Sequence, residues 1–351
     1  MTQVGGKGET GSRRFDRRLA GLALAALALL PPGPLWAAAP QAVAVTAVGK
    51  RLNVEDWDQD RIGALRWRGG FELTASAAYF GGFSALLITP DGRRLTTVSD
   101  QGRWLTAELV TDAAGSLKGL GHAVMGQLAG EDGAPLEGKT RQDAESLARL
   151  ANGDLLVSFE RDHRIWRYPA AAAADGRTPL EGRPVPLRLP AGVAALPANQ
   201  GLEAVTQLPG DRLLAIAEGT SAPDLHPAFL LDRGAWQAFG YRGADDHRPT
   251  GATLLPNGDV LLVERRFTAL GGLSLRLARL PAADLEPTSD LAGKILIGEE
   301  LARLEAPLTL DNFEGIAAWQ GAKGETLVAL LSDDNFSPLQ RTLLLVFEIE
   351  D

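Results

Sequence analysis

Apolar residues along this chain fall into short runs that come in pairs, each pair joined by a turn and followed by an acidic residue. A repeat of roughly 50 to 60 residues is typical of β-propellers, in which each unit buries its apolar face only against its neighbours. The pattern therefore predicts an all-β propeller. Its five copies occupy residues 84–100, 145–160, 203–218, 251–264 and 314–333.

A turn dipeptide lies in the middle of each copy. Asn-Gly and Asp-Gly adopt the positive φ values that tight hairpin turns require, so each copy is predicted to be an antiparallel hairpin. The second strand is a near-continuous apolar run in most copies, which suits a strand buried between stacked sheets. We predict four-stranded antiparallel blades. The dipeptides are Asp91-Gly92, Asn152-Gly153, Gly210-Asp211, Asn257-Gly258 and Lys323-Gly324.

The number of blades is predicted from length. Five hairpins run from residue 84 to the C-terminus, and residues 43–80 are long enough for most of another blade. We therefore favour six blades, with five as the alternative. Pairing of this segment with the last strand, residues 342–349, would join the chain ends in one blade and remove exposed strand edges.

Acidic residues begin and end most of the hairpins. In an antiparallel hairpin, residues at equal distances from the turn lie opposite one another. The midpoint between Glu145 and Glu160 falls between Asn152 and Gly153, so both acids lie at the open end of their hairpin. If the open ends meet around a central channel, eight carboxylates converge on one rim. They are Asp100, Glu145, Glu160, Glu203, Glu218, Glu264, Glu314 and Asp333.

Carboxylates crowded in this way repel one another unless cations offset them. Arg161, Arg265 and Arg266 directly follow acids and supply part of the charge. A calcium ion, which prefers oxygen ligands, would supply the rest. The alternative is that these acids only end strands and form structural ion pairs. The predicted metal ligands are Glu145, Glu203, Glu218, Glu264, Glu314 and Asp333.

Composition excludes several kinds of chemistry. The 351 residues include no cysteine, which rules out disulfides, thiolate zinc sites and thiol nucleophiles. Neither a phosphate-binding P-loop nor a Gly-x-Ser-x-Gly motif occurs. The formal net charge of −9 is that of a poor nucleic-acid binder.

The N-terminus resembles an export signal. Arg13, Arg14, Arg17 and Arg18 precede the apolar residues 19–30, and small residues follow. This apolar run is too short to span a bilayer, so we expect a cleaved leader over about residues 1–42 and no membrane span afterwards. Residues 43–351 would form one domain, exported to the periplasm or secreted, as a monomer. The arginine pair fits a twin-arginine signal imperfectly, so the general secretory route is favoured.

Five motifs carry a resemblance to a known family. They are Gly82-Phe83-Ser84-Ala85-Leu86, Asp143-Ala144-Glu145-Ser146-Leu147, Asn199-Gln200-Gly201-Leu202-Glu203-Ala204, Asp311-Asn312-Phe313-Glu314-Gly315-Ile316 and Leu331-Ser332-Asp333-Asp334-Asn335-Phe336. With them the chain resembles the phytase-like β-propeller family, described as having esterase-like activity of phytase, over roughly residues 60–351. The resemblance implies an exported propeller with a metal-supported site for an ester or phosphate ester.

Our leading hypothesis is a calcium-assisted hydrolase of a phosphate ester or carboxylic ester. Glu203 and Glu314 would be catalytic carboxylates, and Arg161 and Arg265 would clamp the anion. Ser84 and Gly251 stand where other copies have acids, which favours a different hypothesis, a propeller that only binds a ligand or partner. The acid-rich openings are also similar to those of sugar-lactone-hydrolysing propellers, so lactone hydrolysis is a third.

Overall fold

The computed structural model describes residues 39–112, 116–172, 177–219, 222, 224–287 and 290–350. They belong to one compact unit, Leu35–Asp351. The expected leader, residues 1–42, lies outside the described residues except for its last four. Gln41 and Ala42 form a short strand, so the domain begins slightly before the expected boundary.

Strands make up almost all of the regular structure. One four-residue α-helix, α1 (Lys139–Gln142), and short 3-10 turns at Ala170–Ala172, Pro179–Glu181, Val193–Ala195 and Ala282–Leu285 lie between them. No helix in the described ranges has the length and apolar character needed to span a bilayer. The strands are β1 (Gln41–Ala42), β2 (Val45–Gly49), β3 (Arg61–Ile62), β4 (Leu65–Ala75), β5 (Leu87–Ile88), β6 (Arg94–Ser99), β7 (Arg103–Thr111), β8 (Leu117–Gln127), β9 (Ala144–Arg149), β10 (Leu155–Phe159), β11 (Arg164–Tyr168), β12 (Val185–Leu187), β13 (Leu202–Leu208), β14 (Arg212–Ala217), β15 (Leu225–Asp232), β16 (Ala235–Arg242), β17 (Arg248–Leu254), β18 (Val260–Thr268), β19 (Gly272–Leu280), β20 (Ile295–Ile297), β21 (Glu299–Leu304), β22 (Phe313–Gln320), β23 (Thr326–Ser332) and β24 (Leu343–Ile349).

The described strands form five sheets, which are the blades of a propeller. From the inner strand outward they are β5-β6-β7-β8-β1 (blade one), β9-β10-β11-β12 (blade two), β13-β14-β15-β16-β20 (blade three), β17-β18-β19-β21 (blade four) and β22-β23-β24-β4-β2 (blade five). Each has four antiparallel strands, as predicted. Blades one, three and five carry a fifth strand, and in blade three this strand, β20, is parallel to β16. Blade five also has a sixth strand, β3, which pairs with β4.

The prediction of six blades is wrong. β4 pairs with β24 along its length and β2 pairs with β4, so residues 43–80 complete blade five. The predicted contact between the chain ends is confirmed, but it closes the fifth blade instead of creating a sixth. Two strands alone would make a marginal sheet, whereas on the edge of β24 they extend an existing one.

Apolar side chains fill the spaces between blades. Five core clusters are formed, each from residues of two neighbouring blades, and the cluster that joins blade five to blade one includes Phe83 and Trp319. Five blades with five such interfaces make a closed ring. The inner strands β5, β9, β13, β17 and β22 contact one another in turn around its centre.

Candidate functional site

The inner strands of blades two to five each contain a β-bulge near their start. One residue has no cross-strand partner, while the residues on either side of it are paired. A bulge re-aims the side chain of the extra residue and shifts the register by one. The bulged residues are Glu145, Glu203, Thr250 and Glu314.

This bulge corrects the predicted pairing. Glu160 N–H donates to the carbonyl of Asp143, and Ala144 faces Phe159, so Glu145 does not face Glu160. An equivalent backbone pairing is present in all five blades, and in blades two to five it precedes the bulge. The equivalent pairs are Gly82 with Asp100, Asp143 with Glu160, Gly201 with Glu218, Arg248 with Arg265, and Asn312 with Asp333.

Blade four therefore inverts the charge of the repeat. Its bulged residue is Thr250, not Gly251, and the position that is acidic in the other blades is Arg265, not Glu264. Arg248 faces Arg265 across the strand pair, where the other blades have Gly, Asp or Asn. The ring thus has acids on four sides and two arginines on the fifth.

The open ends of the blades enclose a cavity of about 400 Å³, which we call the carboxylate cavity. Seven of the eight predicted acids line it, together with Asp143, which the sequence analysis did not single out. Both predicted arginines, Arg161 and Arg265, line it too, as do Arg248 and Lys139. The lining acids are Asp100, Asp143, Glu145, Glu160, Glu203, Glu218, Glu314 and Asp333.

Glu264 lies elsewhere. Its carboxyl is fully buried between blades three and four, where it accepts a hydrogen bond from the hydroxyl of Tyr241. Arg276 Nη1 lies 2.6 Å from Glu264 Oε2, and Arg276 also reaches Glu300. Successive residues of a strand face opposite sides, so with Arg265 directed into the cavity Glu264 points between the sheets.

Burial changes the proton affinity of the cavity acids. Burial, together with the charge of neighbouring carboxylates, raises the pKa of Glu160 to about 7, of Asp333 to about 7 and of Glu314 to about 8. Burial is the larger of the two causes for each residue. The pKa values of Glu145 and Glu203 are raised well above the usual range for the same two reasons. Eight acids face four cations, so the cavity would hold excess negative charge if every acid were ionised, and burial and mutual repulsion favour the protonated form of some of them.

The cations of the cavity bridge blades. Lys139 Nζ lies 2.8 Å from Asp100 Oδ2 and also contacts Asp143, four residues further along the chain at the end of α1. Arg161 contacts Asp143 and lies 3.9 Å from Glu160. These links fix Asp143 between blades one and two.

Three of the acids are arranged as a candidate metal site. One carboxylate oxygen from each of Asp143, Glu145 and Glu160 lies within 4.8 Å of the others. Asp143 precedes Glu145 by two residues across the bulge. In the sequence, Asp143 could have been recognised only as an acid two residues before the Glu that opens a repeat, and blade two is the only blade with an acid at that position.

Asp100 provides a test of whether a cation fits. Among the residues that the structure describes, its buried Oδ1 has no hydrogen-bond partner. A Cβ at Gly82, whose φ is +65°, would collide with this oxygen. The lining therefore offers several carboxylate oxygens, of which Oδ1 of Asp100 has no partner among the described residues, and such a set fits a hard divalent cation such as calcium.

Comparison with known proteins gives the family of this chain. Among curated proteins none matches the chain significantly. Similar solved structures include virginiamycin B lyase from Staphylococcus aureus, at 11% identity over 83% of this chain and 87% of that chain, with a TM-score of 0.37. A protein of unknown function from Dyadobacter fermentans is 15% identical over 90% of this chain and 95% of that chain, with a TM-score of 0.38.

The family comparison covers most of the propeller. The phytase-like family, described as "Esterase-like activity of phytase", matches residues 78–336, from the end of the N-terminal strands of blade five to the loop after β23. The match includes the acids that line the carboxylate cavity. By this match over more than half of its length, the chain belongs to the phytase-like family.

Proposed function

We propose that this protein is an exported hydrolase of phosphate esters or carboxylic esters, assisted by a calcium ion in the carboxylate cavity. The observation that carries the proposal is the excess of buried carboxylates in a cavity at the centre of a phytase-like propeller. Export rests on the leader-like N-terminus. The substrate would be a small molecule, acted on by a monomer.

Asp143, Glu145 and Glu160 are the residues that would hold the ion, with the unpartnered Oδ1 of Asp100 on the adjoining blade. Glu218 and Asp333 line the same cavity and could complete the oxygen shell. When bound, a divalent cation polarises a phosphoryl or carbonyl oxygen and lowers the pKa of a bound water.

Glu203 and Glu314 would move the proton. Both carboxyls are buried and have raised pKa values, that of Glu314 to about 8. A carboxyl with a pKa near the working pH can give and take a proton during turnover, which suits a general acid or base. Asn312 Nδ2 donates a hydrogen bond of 3.0 Å to Glu314 Oε1 and fixes its orientation.

Arg265 and Arg161 would bind the anionic group of the substrate. Arg265 lies 3.6 Å or more from the carboxylates around it, so its donors are not committed to a tight pair. Arg161 is more strongly engaged through its contact with Asp143. Arg265 is therefore the stronger candidate to accept a substrate oxygen.

A chelator titration tests the proposal. Purified protein would be assayed with p-nitrophenyl phosphate and p-nitrophenyl acetate while EDTA is increased, and calcium would then be added back. We expect hydrolysis of one ester to fall and then recover. Full activity in excess chelator would remove the metal from the mechanism, and no hydrolysis of any ester or lactone would favour a binding propeller.

A binding propeller is the second candidate, favoured by the charge inversion of blade four. Thr250 and Arg265 stand where most other blades have acids, and Arg248 faces Arg265, so the ring does not present five equivalent acidic units. Such an asymmetric cavity could recognise a ligand that carries both charges without chemistry. Turnover distinguishes the two candidates.

A further inference from the structure

A groove opens between blades one and two at the end of the hairpins where their turns lie. Its volume is about 1210 Å³, against about 400 Å³ for the carboxylate cavity, and among the described residues the two share no lining residue. Arg149 and Leu155 flank the turn of blade two and line the groove, so it lies at the opposite end of that hairpin from Glu160. We call it the turn-side groove.

One wall of this groove lacks a leucine that the other blades have. On the second strand of each blade, one position faces the next blade. In blade one this residue is Thr96, which is 5% exposed. A threonine leaves space that a leucine would fill, and it brings a hydroxyl into the interface. In blades two to five the residue is a leucine of the core cluster that joins the blade to the next one: Leu156, Leu214, Leu261 and Leu327.

Arg149 is a second departure from the repeat, on the opposite wall. It stands near the end of the inner strand, at a position that is uncharged in every other blade. Two of its equivalents pack into the core between their own blade and the preceding one, so in blade two this position faces blade one. The equivalents are Ile88, Gln207, Leu254 and Gln320.

The guanidinium of Arg149 has an unused donor. Its Nε is buried and has no hydrogen-bond partner among the described residues. Burial lowers the pKa of Arg149, and the charge of Asp91 raises it in part. An arginine stays protonated in proteins, and a buried guanidinium N–H without an acceptor is costly. An anionic oxygen beside Arg149 would therefore be bound favourably.

The acids of the groove already have partners. Glu108 lies 3.9 Å from Arg94, and Asp91 accepts a hydrogen bond of 2.5 Å from the hydroxyl of Thr89. Glu181 accepts a backbone N–H at the start of its own 3-10 turn. The guanidinium on the facing wall is thus left for an acceptor from outside the chain.

Apolar side chains line the rest of the groove. Trp104, Val124 and Leu155 belong to or pack against the core cluster between blades one and two, and the groove reaches this cluster from below. Val110, near the end of β7, is 47% exposed. An aromatic or aliphatic group could rest on these side chains while a charged group reaches Arg149.

We propose that the turn-side groove binds a carboxylic acid with an aromatic or other apolar body, whose carboxylate pairs with Arg149. The planar fork of a guanidinium matches the two oxygens of a carboxylate. Four arginines and three acids line the groove, and with His122 neutral the single excess positive charge suits a monoanion. The apolar body would occupy space that leucine fills between the other blades. The site is separate from the carboxylate cavity and does not depend on the proposed hydrolase function.

The probe is 2-naphthoate. Its binding to the full chain would be measured by isothermal titration calorimetry at neutral pH, with and without calcium. The comparison ligands are 2-naphthamide, which keeps the rings and removes the charge, and acetate, which keeps the charge and removes the rings. We expect saturable binding of 2-naphthoate at one site, independent of calcium, and binding of both comparison ligands that is weaker by about tenfold or more.

Two variants test the two walls. Arg149→Met should weaken 2-naphthoate binding about tenfold or more and leave 2-naphthamide binding as it was. Arg233→Met, in an exposed turn of blade three, should leave both unchanged. Thr96→Leu fills the groove with the residue of the other blades, so it should weaken both ligands about threefold or more and keep or raise the melting temperature. Because leucine is the residue of the repeat, this variant keeps the test valid even if Arg149→Met fails to fold.

The carboxylate cavity is the other place where an anion could bind. Arg265→Met changes that cavity and should leave 2-naphthoate binding unchanged. Loss of binding in Arg265→Met, with binding retained in Arg149→Met, would place the probe in the carboxylate cavity and overturn the inference. Absence of saturable binding, equal affinity for 2-naphthoate and 2-naphthamide, or unchanged binding in both Arg149→Met and Thr96→Leu would also overturn it.

Discussion

Arg265 Nη2 lies 3.6 Å from Glu218 Oε1, so the arginine of blade four faces the strand-ending acid of blade three. On its other side, the same Nη2 lies 3.8 Å from Glu314 Oε1 of blade five. Burial alone would lower the pKa of Arg265, but the carboxylates around it raise the pKa instead. One arginine of blade four thus offsets negative charge from the two neighbouring blades.

Replacement of this arginine should raise the repulsion between the acids. In Arg265→Met the pKa values of Glu203 and Glu314 should rise further, because Arg265 now lowers both. We expect a loss of about 1–3 kcal/mol in the free energy of unfolding, since the pair is partly solvated. Urea unfolding at neutral pH measures it. Arg233→Met is the control, and equal stability of the two variants would contradict the expectation.

Calcium should stabilise the folded chain. At about a hundredfold excess over its dissociation constant a ligand adds roughly 2.7 kcal/mol to stability, so the melting temperature of chelator-treated protein should rise by several degrees. Glu145→Gln should abolish most of this rise, because it removes a proposed ligand. Glu264→Gln should keep it, since Glu264 lies between the sheets. An equal response in both variants would count against the site.

The metal-free protein should lose stability as the pH rises from 6.5 to 8.5. The pKa values of Glu160, Asp333 and Glu314 are raised to about 7, 7 and 8, so the folded state binds more protons than the unfolded state in this range. Their stabilising contribution is complete below the unfolded pKa values and is lost through the folded ones.

Two buried histidines oppose this slope only at its lower end. Burial lowers the pKa values of His226 and His247, so near pH 6.5 the unfolded state binds more protons at these rings than the folded state, and at pH 8.5 neither state binds a proton there. Urea unfolding in EDTA at pH 6.5, 7.5 and 8.5 measures the slope, and each acid contributes at most about 1.4 kcal/mol per pH unit. Calcium should flatten the slope. Stability that increases with pH in EDTA would refute the assignment.

Neutral replacements of the two proposed catalytic acids distinguish an enzyme from a binding protein. Glu203→Gln and Glu314→Gln keep the shape of the side chain and remove its charge. For a general acid or base we expect a fall in kcat of about 10²–10⁴-fold with the melting temperature kept or raised, because each change relieves repulsion. Unchanged turnover, or a loss of stability without a loss of turnover, would assign these acids a structural role.

The order of the hairpins could be predicted from sequence because it depends on local chemistry. Asn152-Gly153 and Asn257-Gly258 specify turns wherever they occur, and the acids at equal distances from such turns share the open end of the hairpin. The collection of seven predicted acids in one cavity follows from that local rule.

The placement of Glu264 could not be predicted because it depends on one extra residue in the opposite strand. A bulge has no characteristic amino-acid composition, and nothing in the sequence around Thr250 identifies it as the residue without a cross-strand partner. The blade number failed for a different reason. Pairing of β4 with β24 joins residues almost 280 positions apart, and a count of segment lengths cannot show which edge accepts a strand.

Removal of the closing strand tests the topology. A variant without residues 1–76 lacks β4, which exposes the edge of β24 and the apolar core beneath it. We expect it to lose cooperative thermal unfolding and to aggregate. A variant without residues 1–38 retains every described strand and should melt like the full chain. Cooperative unfolding of the shorter variant would show that blade five is stable without β4.

Closure through β4 and β24 also determines when the carboxylate cavity exists. Its walls come from all five blades, and Glu314 and Asp333 belong to the strands just before β24. During synthesis, the edge of β4 that pairs with β24 stays unpaired until β24, close to the C-terminus, has been made. The cavity is therefore the final structure to assemble, and a chain that stops short of β24 carries the sequence of the site without its enclosure.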